Sequence, residues 1–116
     1  MSNTNAKEEF LEHVKQTGKV VKAVDIQLGY YYKEDEQVSK TLKVGYTDEE
    51  YEAFLESLNF SYDSGYGGQE LYGTIWYVGG TWSSRGEYDG SEWWEYNNCP
   101  KIPKELLKQG EQNATN

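Results

Sequence analysis

The sequence predicts one α+β domain in which helices cover one face of an antiparallel sheet. Two segments place apolar residues three and four apart, which is typical of amphipathic helices, and the remaining apolar residues largely alternate, as in strands. A chain of 116 residues is long enough to bury one core without disulfide support. We expect the element order α-β-β-α-β-β-β with about five strands, over residues 1–109, followed by a disordered tail at 110–116.

The first helix is predicted at residues 5–17, where Thr4 or Asn5 can cap its start and Gly18 can end it. From Lys19 the apolar period becomes two, which predicts a long strand. Its apolar face is Val20, Val24, Ile26, Leu28, Tyr30 and Tyr32. Residues 33–37 are expected to form a charged turn into a partner strand at residues 38–46.

A second helix is predicted to begin at Thr47, because Thr47 and Glu50 form a capping box. One buried stripe is expected at Tyr51, Phe54, Leu55 and Leu58. Residues 59–69 are rich in glycine and polar residues, so they are predicted to be a functional loop that presents Tyr62 and Tyr66. A short helix is expected at residues 104–109, after Pro103.

Residues 71–97 hold all four tryptophans and predict a three-stranded meander. Gly79-Gly80 and Asp89-Gly90 suit two-residue hairpin turns, which would place Tyr77 opposite Trp82. The predicted core face is Leu71, Ile75, Tyr77, Trp82, Tyr88 and Trp93. The predicted exposed face is Tyr72, Trp76, Val78, Arg85, Glu87, Glu92, Trp94 and Tyr96. A one-residue bulge would exchange the two faces.

The same register places Arg85 opposite Trp94 and Glu87 opposite Glu92. Two opposed carboxylates repel unless a cation or a ligand compensates them. Arg85 can screen the pair while Trp94 stacks on its guanidinium, and a ligand contact is the alternative. Paired carboxylates among aromatic rings also resemble a glycosidase centre, but opposed acids are common and a small domain offers little depth for a substrate cleft. We predict no enzymatic activity.

Composition narrows the range of partners. Twenty acidic against eleven basic residues give a net charge of -9, which disfavours direct binding to nucleic acids and anionic membranes. One cysteine, Cys99, and one histidine, His13, exclude an internal disulfide and supply too few ligands for a Cys/His metal cluster. His13 is expected on a solvated helix position. We therefore expect no metal or cofactor and a cytoplasmic protein without a membrane-spanning segment.

Two surfaces could bind a partner. Tyrosine, tryptophan and arginine are enriched at the energetic centres of protein interfaces, which favours a protein-binding module. The acids of the second helix and the hairpin turn could instead imitate DNA phosphates, although helix capping already accounts for several of them. A small-ligand or carbohydrate module is the third possibility. Core packing could absorb about half of the aromatic residues.

The segment from ELYGTIWYVGGTW through EYDGSEWWEY to CPKIP resembles small uncharacterised proteins of tailed bacteriophages. The shared patterns are G-x-[IV]-W-[FY]-x-x-G-[ST]-W, E-Y-D-G-[SA]-E-W-W and P-x-I-P, in the C-terminal third to half of the chain. Gly79 departs from the Asp or Asn expected before the glycine. The resemblance implies a phage setting, in which small acidic proteins often inhibit a host enzyme or a defence component.

Overall fold

The computed structural model describes residues 3–30, 33–63, 69–88, 91–99 and 102–106. Its strands are β1 Asn3–Asn5, β2 Val21–Tyr30, β3 Lys33–Leu42, β4 Ser61–Asp63, β5 Leu71–Tyr77, β6 Trp82–Tyr88 and β7 Ser91–Asn97. Its helices are α1 Ala6–Thr17 and α2 Asp48–Ser57, with a short 3-10 helix at Lys104–Leu106. The tail at 110–116 and Tyr66 lie outside the described residues.

Five strands form one antiparallel sheet in the order β3-β2-β5-β6-β7, and β1 pairs with β4 in a separate two-stranded sheet. The predicted α+β class is confirmed. Both helices contribute to a core on one face of the large sheet, where Phe10 of α1 meets Phe54 of α2 edge to face at 5.6 Å between ring centroids. No helix among the described residues covers the opposite face, which we call the open face.

The predicted helix signals hold in the structure. Asn5 caps α1 by accepting a hydrogen bond from the Glu8 amide at 3.0 Å, and Gly18 ends the helix with a φ of +67°. Thr47 and Glu50 form the full capping box at the start of α2. These local rules depend only on residues a few positions apart, which explains why sequence alone predicts them.

Two expectations for the first half of the chain are wrong. The strand β3 begins at Lys33, so the charged turn predicted at residues 33–37 is part of a strand. Val20 is 65% exposed and not on the apolar face, because β2 begins after it and the pairing with β5 shifts between Val21 and Ala23.

The predicted loop at residues 59–69 contains a strand, β4, which pairs with β1. Each strand has only three residues, NTN and SYD, and Tyr62 is the one aromatic or aliphatic residue among them, so neither is long enough to show the alternation by which strands are recognised. At the C-terminus, residues 104–106 form a 3-10 helix, and the rest of the predicted helix lies outside the described residues.

The two hairpins of the meander have different outcomes. The second has the predicted register, with Arg85 opposite Trp94 and Glu87 opposite Glu92. The first is wrong by one residue, since Trp76 and not Tyr77 lies opposite Trp82. A three-residue turn, closed by a 2.9 Å hydrogen bond from the Tyr77 amide to the Thr81 carbonyl, replaces the two-residue turn. The shift moves every β6 and β7 side chain to the face opposite the predicted one.

Gly73 is required where β5 pairs with β2. A Cβ atom at this position would lie 2.4 Å from the Asp25 carbonyl oxygen and 2.9 Å from the Ile26 Cα atom. We expect Gly73→Ala to lower the free energy of unfolding by about 1–3 kcal/mol, because backbone must move to admit the methyl group. Urea unfolding measures this loss. Thr74→Ala on the open face is the control and should change stability by less than about 0.5 kcal/mol.

Candidate functional site

The open face carries two aromatic rungs separated by one polar rung. Side chains that lie opposite one another in an antiparallel sheet point to the same face, so the strand register defines each rung. The first aromatic rung runs through Ala23, Trp76, Trp82 and Asn97. The polar rung runs through Thr41, Asp25, Thr74, Ser84 and Glu95. The second aromatic rung contains Tyr72 and Trp93. It lies about 14 Å from the first rung, because four residues of strand, at about 3.4 Å each, separate Tyr72 from Trp76.

The first rung presents two tryptophans side by side. The hydrogen-bonded pair Tyr77–Thr81 precedes Trp76–Trp82, and such pairs alternate with non-hydrogen-bonded ones. Trp76 and Trp82 therefore form a non-hydrogen-bonded pair, the type in which Cα atoms approach to about 4.5 Å. Their exposed fractions are 44% and 36%. The chain thus leaves two large adjacent indole groups partly in water.

The second rung depends on Gly86. Trp93 lies opposite Gly86, and a Cβ atom on Gly86 would lie 2.5 Å from the Trp93 Nε1 atom, so the indole ring extends across the glycine. Trp93 Nε1 donates to Glu95 Oε1 at 2.9 Å, which fixes the ring against the polar rung. On β5, Tyr72 donates its hydroxyl hydrogen to the Gln69 carbonyl at 3.0 Å.

The prediction that Arg85, Glu92 and Trp94 share the exposed face with Trp76 is wrong. The shifted first hairpin turns these three side chains toward the helices, and Glu92 and Trp94 are each 7% exposed. The same shift places Trp82 and Trp93 on the open face, and Tyr88, 77% exposed, is also outside the core. Tyr72, Trp76 and Val78 are exposed as predicted.

Arg85 lies at the centre of a buried polar network between α1 and the sheet. Its side chain is 2% exposed, and its Nη2 atom donates to the Tyr62 hydroxyl at 2.7 Å and to Glu92 Oε1 at 3.2 Å. The Nη1 atom lies 3.2 Å from Glu9 Oε1 of α1. The guanidinium carbon lies 4.8 Å above the Trp94 ring, which confirms the predicted stacking.

Glu92 has a structural explanation in this network. Its two carboxylate oxygens accept hydrogen bonds from the backbone amides of Glu70 at 2.6 Å and Leu71 at 3.0 Å, in addition to the Arg85 contact. Arg85 thus compensates the charge that lies opposite Glu87, as the first interpretation of the opposed pair expected. These bonds fix the start of β5, and they occupy the Glu92 carboxylate.

Tyr62 is buried in the same network instead of being presented on a loop. It is 3% exposed and donates its hydroxyl hydrogen to Glu9 Oε1 at 2.5 Å. Burial raises the pKa of the Tyr62 phenol, and the hydrogen bond to Glu9 raises it further, so the group remains a neutral donor. Tyr62 therefore joins β4 to α1 and is not accessible to a partner.

His13 is half-buried, so its predicted solvated position is wrong. The ring stacks on Trp94 with 6.2 Å between centroids, and its Nε2 atom shares a 2.7 Å hydrogen bond with the hydroxyl of Ser83. Ser83 also bonds to the Tyr77 hydroxyl at 2.7 Å. Ser83 is 0% exposed, so its hydroxyl is buried, and this serine and histidine pair couples α1 to β5 and β6.

The remaining predicted site residues do not form a common surface. Glu87 is exposed, and Tyr96, 37% exposed, lies on the helix side of β7, where its ring packs near Tyr77 at 5.7 Å between ring centroids.

Within the described residues, no group of three His, Cys, Asp or Glu side chains has an arrangement suited to a metal ion. No helix in the described ranges has an apolar run long enough to cross a membrane.

Comparison of the chain with protein-family models, curated proteins and solved structures found no match. The roles of its residues therefore rest on its own geometry. The open face, defined by Tyr72, Trp76, Trp82 and Trp93, is the best candidate site. The predicted core positions of Trp82 and Trp93 are wrong, because they follow from a two-residue turn at Gly79-Gly80. The local signal at this turn is the pair Gly79-Gly80, and two glycines that can both adopt a positive φ permit either turn length.

Removal of Arg85 should strongly destabilise the fold. Arg85→Ala leaves Glu92 and Glu9 without their buried cation, so we expect the free energy of unfolding to fall by about 3–5 kcal/mol. Denaturant unfolding followed by circular dichroism measures the change. The control is Lys7→Ala, which removes an exposed ion pair with Glu56 at 3.7 Å and should cost less than about 1 kcal/mol. Equal losses in both variants would contradict a central role for Arg85.

His13 predicts a pH dependence of stability. Burial lowers the pKa of His13, Glu9 opposes this and the positive charge of Arg85 adds to it, so the unfolded chain binds the proton more readily than the folded chain. The contribution of neutral His13 to the free energy of unfolding is fully present above the pKa of histidine in the unfolded chain, about 6.5. It is lost as the pH falls through the lower pKa of His13 in the folded chain.

The measurement is the midpoint of thermal unfolding at about pH 8 and about pH 5. His13→Gln retains an amide that can bond to Ser83 but does not titrate, so the decrease in midpoint on acidification should be smaller in this variant. If wild type and variant lose the same amount, His13 does not contribute to the pH dependence.

Proposed function

We propose that this chain is a non-enzymatic binding protein that docks a partner protein on the open face of its sheet. The observation that carries the proposal is the pair of aromatic rungs, Trp76 with Trp82 and Tyr72 with Trp93, on a face that no described helix covers. Large aromatic side chains that lie side by side and exposed, as Trp76 and Trp82 do, often mark interaction sites. Tryptophan and tyrosine also bury a large apolar area at a low cost in side-chain entropy.

The polar rung gives the proposed interface its specificity. Hydroxyl groups of Thr74 and Ser84 lie between the two aromatic rungs, and the carboxylates of Asp25 and Glu95 lie toward the outer strands. A partner that places apolar side chains on the tryptophans and a hydrogen-bonding or basic group between them would match this pattern. Charge complementarity of this kind selects partners more than it adds affinity.

The proposed biological setting follows from the motif resemblance. The motif resemblance supports a phage-encoded protein, and small acidic proteins in that setting often act on host or defence proteins in the bacterial cytoplasm. On this basis the partner is a host or defence protein, and occupation of its surface inhibits it. The open face suits such a role, because hydrogen bonds to Glu95 and Gln69 orient Trp93 and Tyr72 before binding.

Trp76→Ala combined with Trp82→Ala tests the site. Capture from bacterial lysate followed by mass spectrometry identifies the partner, and calorimetry with the purified partner gives the affinity. We expect the double variant to bind about 1000-fold more weakly, since buried tryptophans at interface centres commonly contribute about 2 kcal/mol each and about 1.4 kcal/mol is a factor of ten. Both side chains are on the open face, so the thermal midpoint should change little.

Tyr96→Ala is the matched control, because Tyr96 is exposed to 37% compared with 36% for Trp82 but lies on the opposite side of the sheet. It should retain affinity within about threefold. Trp94 is unsuitable for this test, because its ring packs on Arg85 and its removal would damage the fold. Unchanged partner affinity in the double variant would refute the open face as the site.

A carbohydrate chain is the second candidate, favoured by the alternation of aromatic and polar rungs, since sugars offer apolar faces and hydroxyl groups. Saturable changes in tryptophan fluorescence with a soluble oligosaccharide, lost in the double variant, would support it. The acidic surface of α2 is the remaining alternative, in which Asp48, Glu49 and Glu52 imitate phosphates. Binding of that type would weaken steeply with salt, whereas an aromatic interface would be far less sensitive.

A further inference from the structure

The strand β7 forms an edge of the large sheet and has fewer of the features that protect an edge than the strand at the opposite edge does. It pairs with β6 over seven consecutive residue pairs without a bulge, and no other described strand pairs with it. Its sequence, SEWWEYN, contains no proline and no lysine, and its charged residues are Glu92 and Glu95. The opposite edge, β3, has the sequence KEDEQVSKTL, in which half of the residues are charged. Natural edge strands avoid association through charges, prolines and bulges, so β7 is the more exposed to pairing.

The hydrogen-bond pattern identifies which β7 groups face outward. The amide of Tyr77 donates to the Thr81 carbonyl, so the backbone N–H and C=O groups of the odd-numbered β6 residues point to β5. The backbone groups of the even-numbered β6 residues point to β7. The even-numbered β6 residues lie opposite the odd-numbered β7 residues, whose backbone groups therefore bond to β6. The backbone groups of Glu92, Trp94 and Tyr96 therefore point away from β6, toward the side of β7 on which no described strand lies.

We propose that β7 pairs with β7 of a second copy of this chain, antiparallel and two-fold symmetric about Trp94. This pairing would join two five-stranded sheets into one continuous sheet and place their open faces side by side. Trp94 is the central residue of β7, so this register uses all seven residues of each strand. It also places the even-numbered residues of one β7 opposite the even-numbered residues of the other. The outward backbone groups of Glu92, Trp94 and Tyr96 can then bond to one another across the two strands.

The charges of β7 favour this register over its neighbours. Trp93 lies opposite Glu95 of the second copy, Glu92 lies opposite Tyr96, and Ser91 lies opposite Asn97. No glutamate faces a glutamate directly. A shift of the two-fold axis to Glu95 would oppose two glutamates, which is destabilising in a sheet, and a shift to Trp93 would shorten the pairing. Trp93 and Glu95 are already compatible neighbours, as their 2.9 Å hydrogen bond within the strand shows.

Long-range charge opposes the same association. Each copy carries a net charge of -9, so two copies repel each other at low ionic strength. Added salt screens this repulsion, while the hydrogen bonds and aromatic contacts of the edge depend much less on salt. The dimer is therefore expected to become tighter as salt increases, the reverse of what a contact between acidic and basic patches would show.

Sedimentation velocity over a range of concentrations tests the pairing. We expect the wild-type chain to approach twice its mass of 13.4 kDa as its concentration rises, and at lower concentration in high salt. Tyr96→Pro removes an outward amide hydrogen from β7 without removing any hydrogen bond to β6. It should weaken the dimer by about 30-fold or more, since the symmetric pairing loses the bond twice.

Tyr96→Ala is the matched control, because it removes the same side chain and retains the amide, and it should still dimerise. A wild-type chain that stays at 13.4 kDa at its highest soluble concentration would overturn the proposal. Equal dimerisation of Tyr96→Pro and Tyr96→Ala would overturn it as well. The Trp76→Ala/Trp82→Ala variant should dimerise normally, so loss of partner binding and loss of dimerisation are separable.

Disulfide formation tests the register without proline. With Cys99 replaced by serine, the variants Trp93→Cys and Glu95→Cys are mixed and oxidised. The proposed non-hydrogen-bonded pair brings these two positions to a Cα separation of about 4.5 Å, which a disulfide can bridge. Two copies of Trp93→Cys alone place their Cα atoms about 8 Å apart, beyond that reach. Cross-linking in the single variants but not in the mixture would contradict the register.

Discussion

The rest of the structure depends on the ion pairs and hydrogen bonds that the buried guanidinium of Arg85 makes. This guanidinium connects α1 through Glu9, β4 through Tyr62 and β7 through Glu92, and the Trp94 ring covers it. Charges removed from water are stable only when their partners are complete, so every one of these elements has to be in place together. Because Glu92 also accepts the amides of residues 70 and 71, the same network fixes where β5 enters the sheet.

This network determines which aromatic residues remain for binding. Consecutive strand residues point to opposite faces, so the inward position of Trp94 requires Trp93 to point outward. On β6, the inward position of Arg85 likewise directs Trp82 and Gly86 to the open face, and Gly86 makes room for the Trp93 ring. The open face therefore results from the same register that builds the core. Partner binding and dimerisation would use different parts of it, the rungs of the face and the outer edge of β7.

The extent to which sequence predicts this protein follows from the range of each interaction. The caps of both helices and the register of the second hairpin depend on neighbouring residues, and these were predicted correctly. The first hairpin was not, because Gly79 and Gly80 permit turns of two or three residues, and one residue exchanges the faces. Tyr62 and His13 reach their partners across 53 and 70 residues of chain, a separation that no local pattern encodes.

The register of the first hairpin determines both the buried network and the open face, and one NMR measurement tests it most directly. In a non-hydrogen-bonded antiparallel pair the two Hα atoms are in close contact and give a strong nuclear Overhauser effect. The structure predicts this cross-peak between the Hα atoms of Trp76 and Trp82. A strong cross-peak between Tyr77 and Trp82 in its place would contradict the assignment of faces and, with it, the proposed binding site.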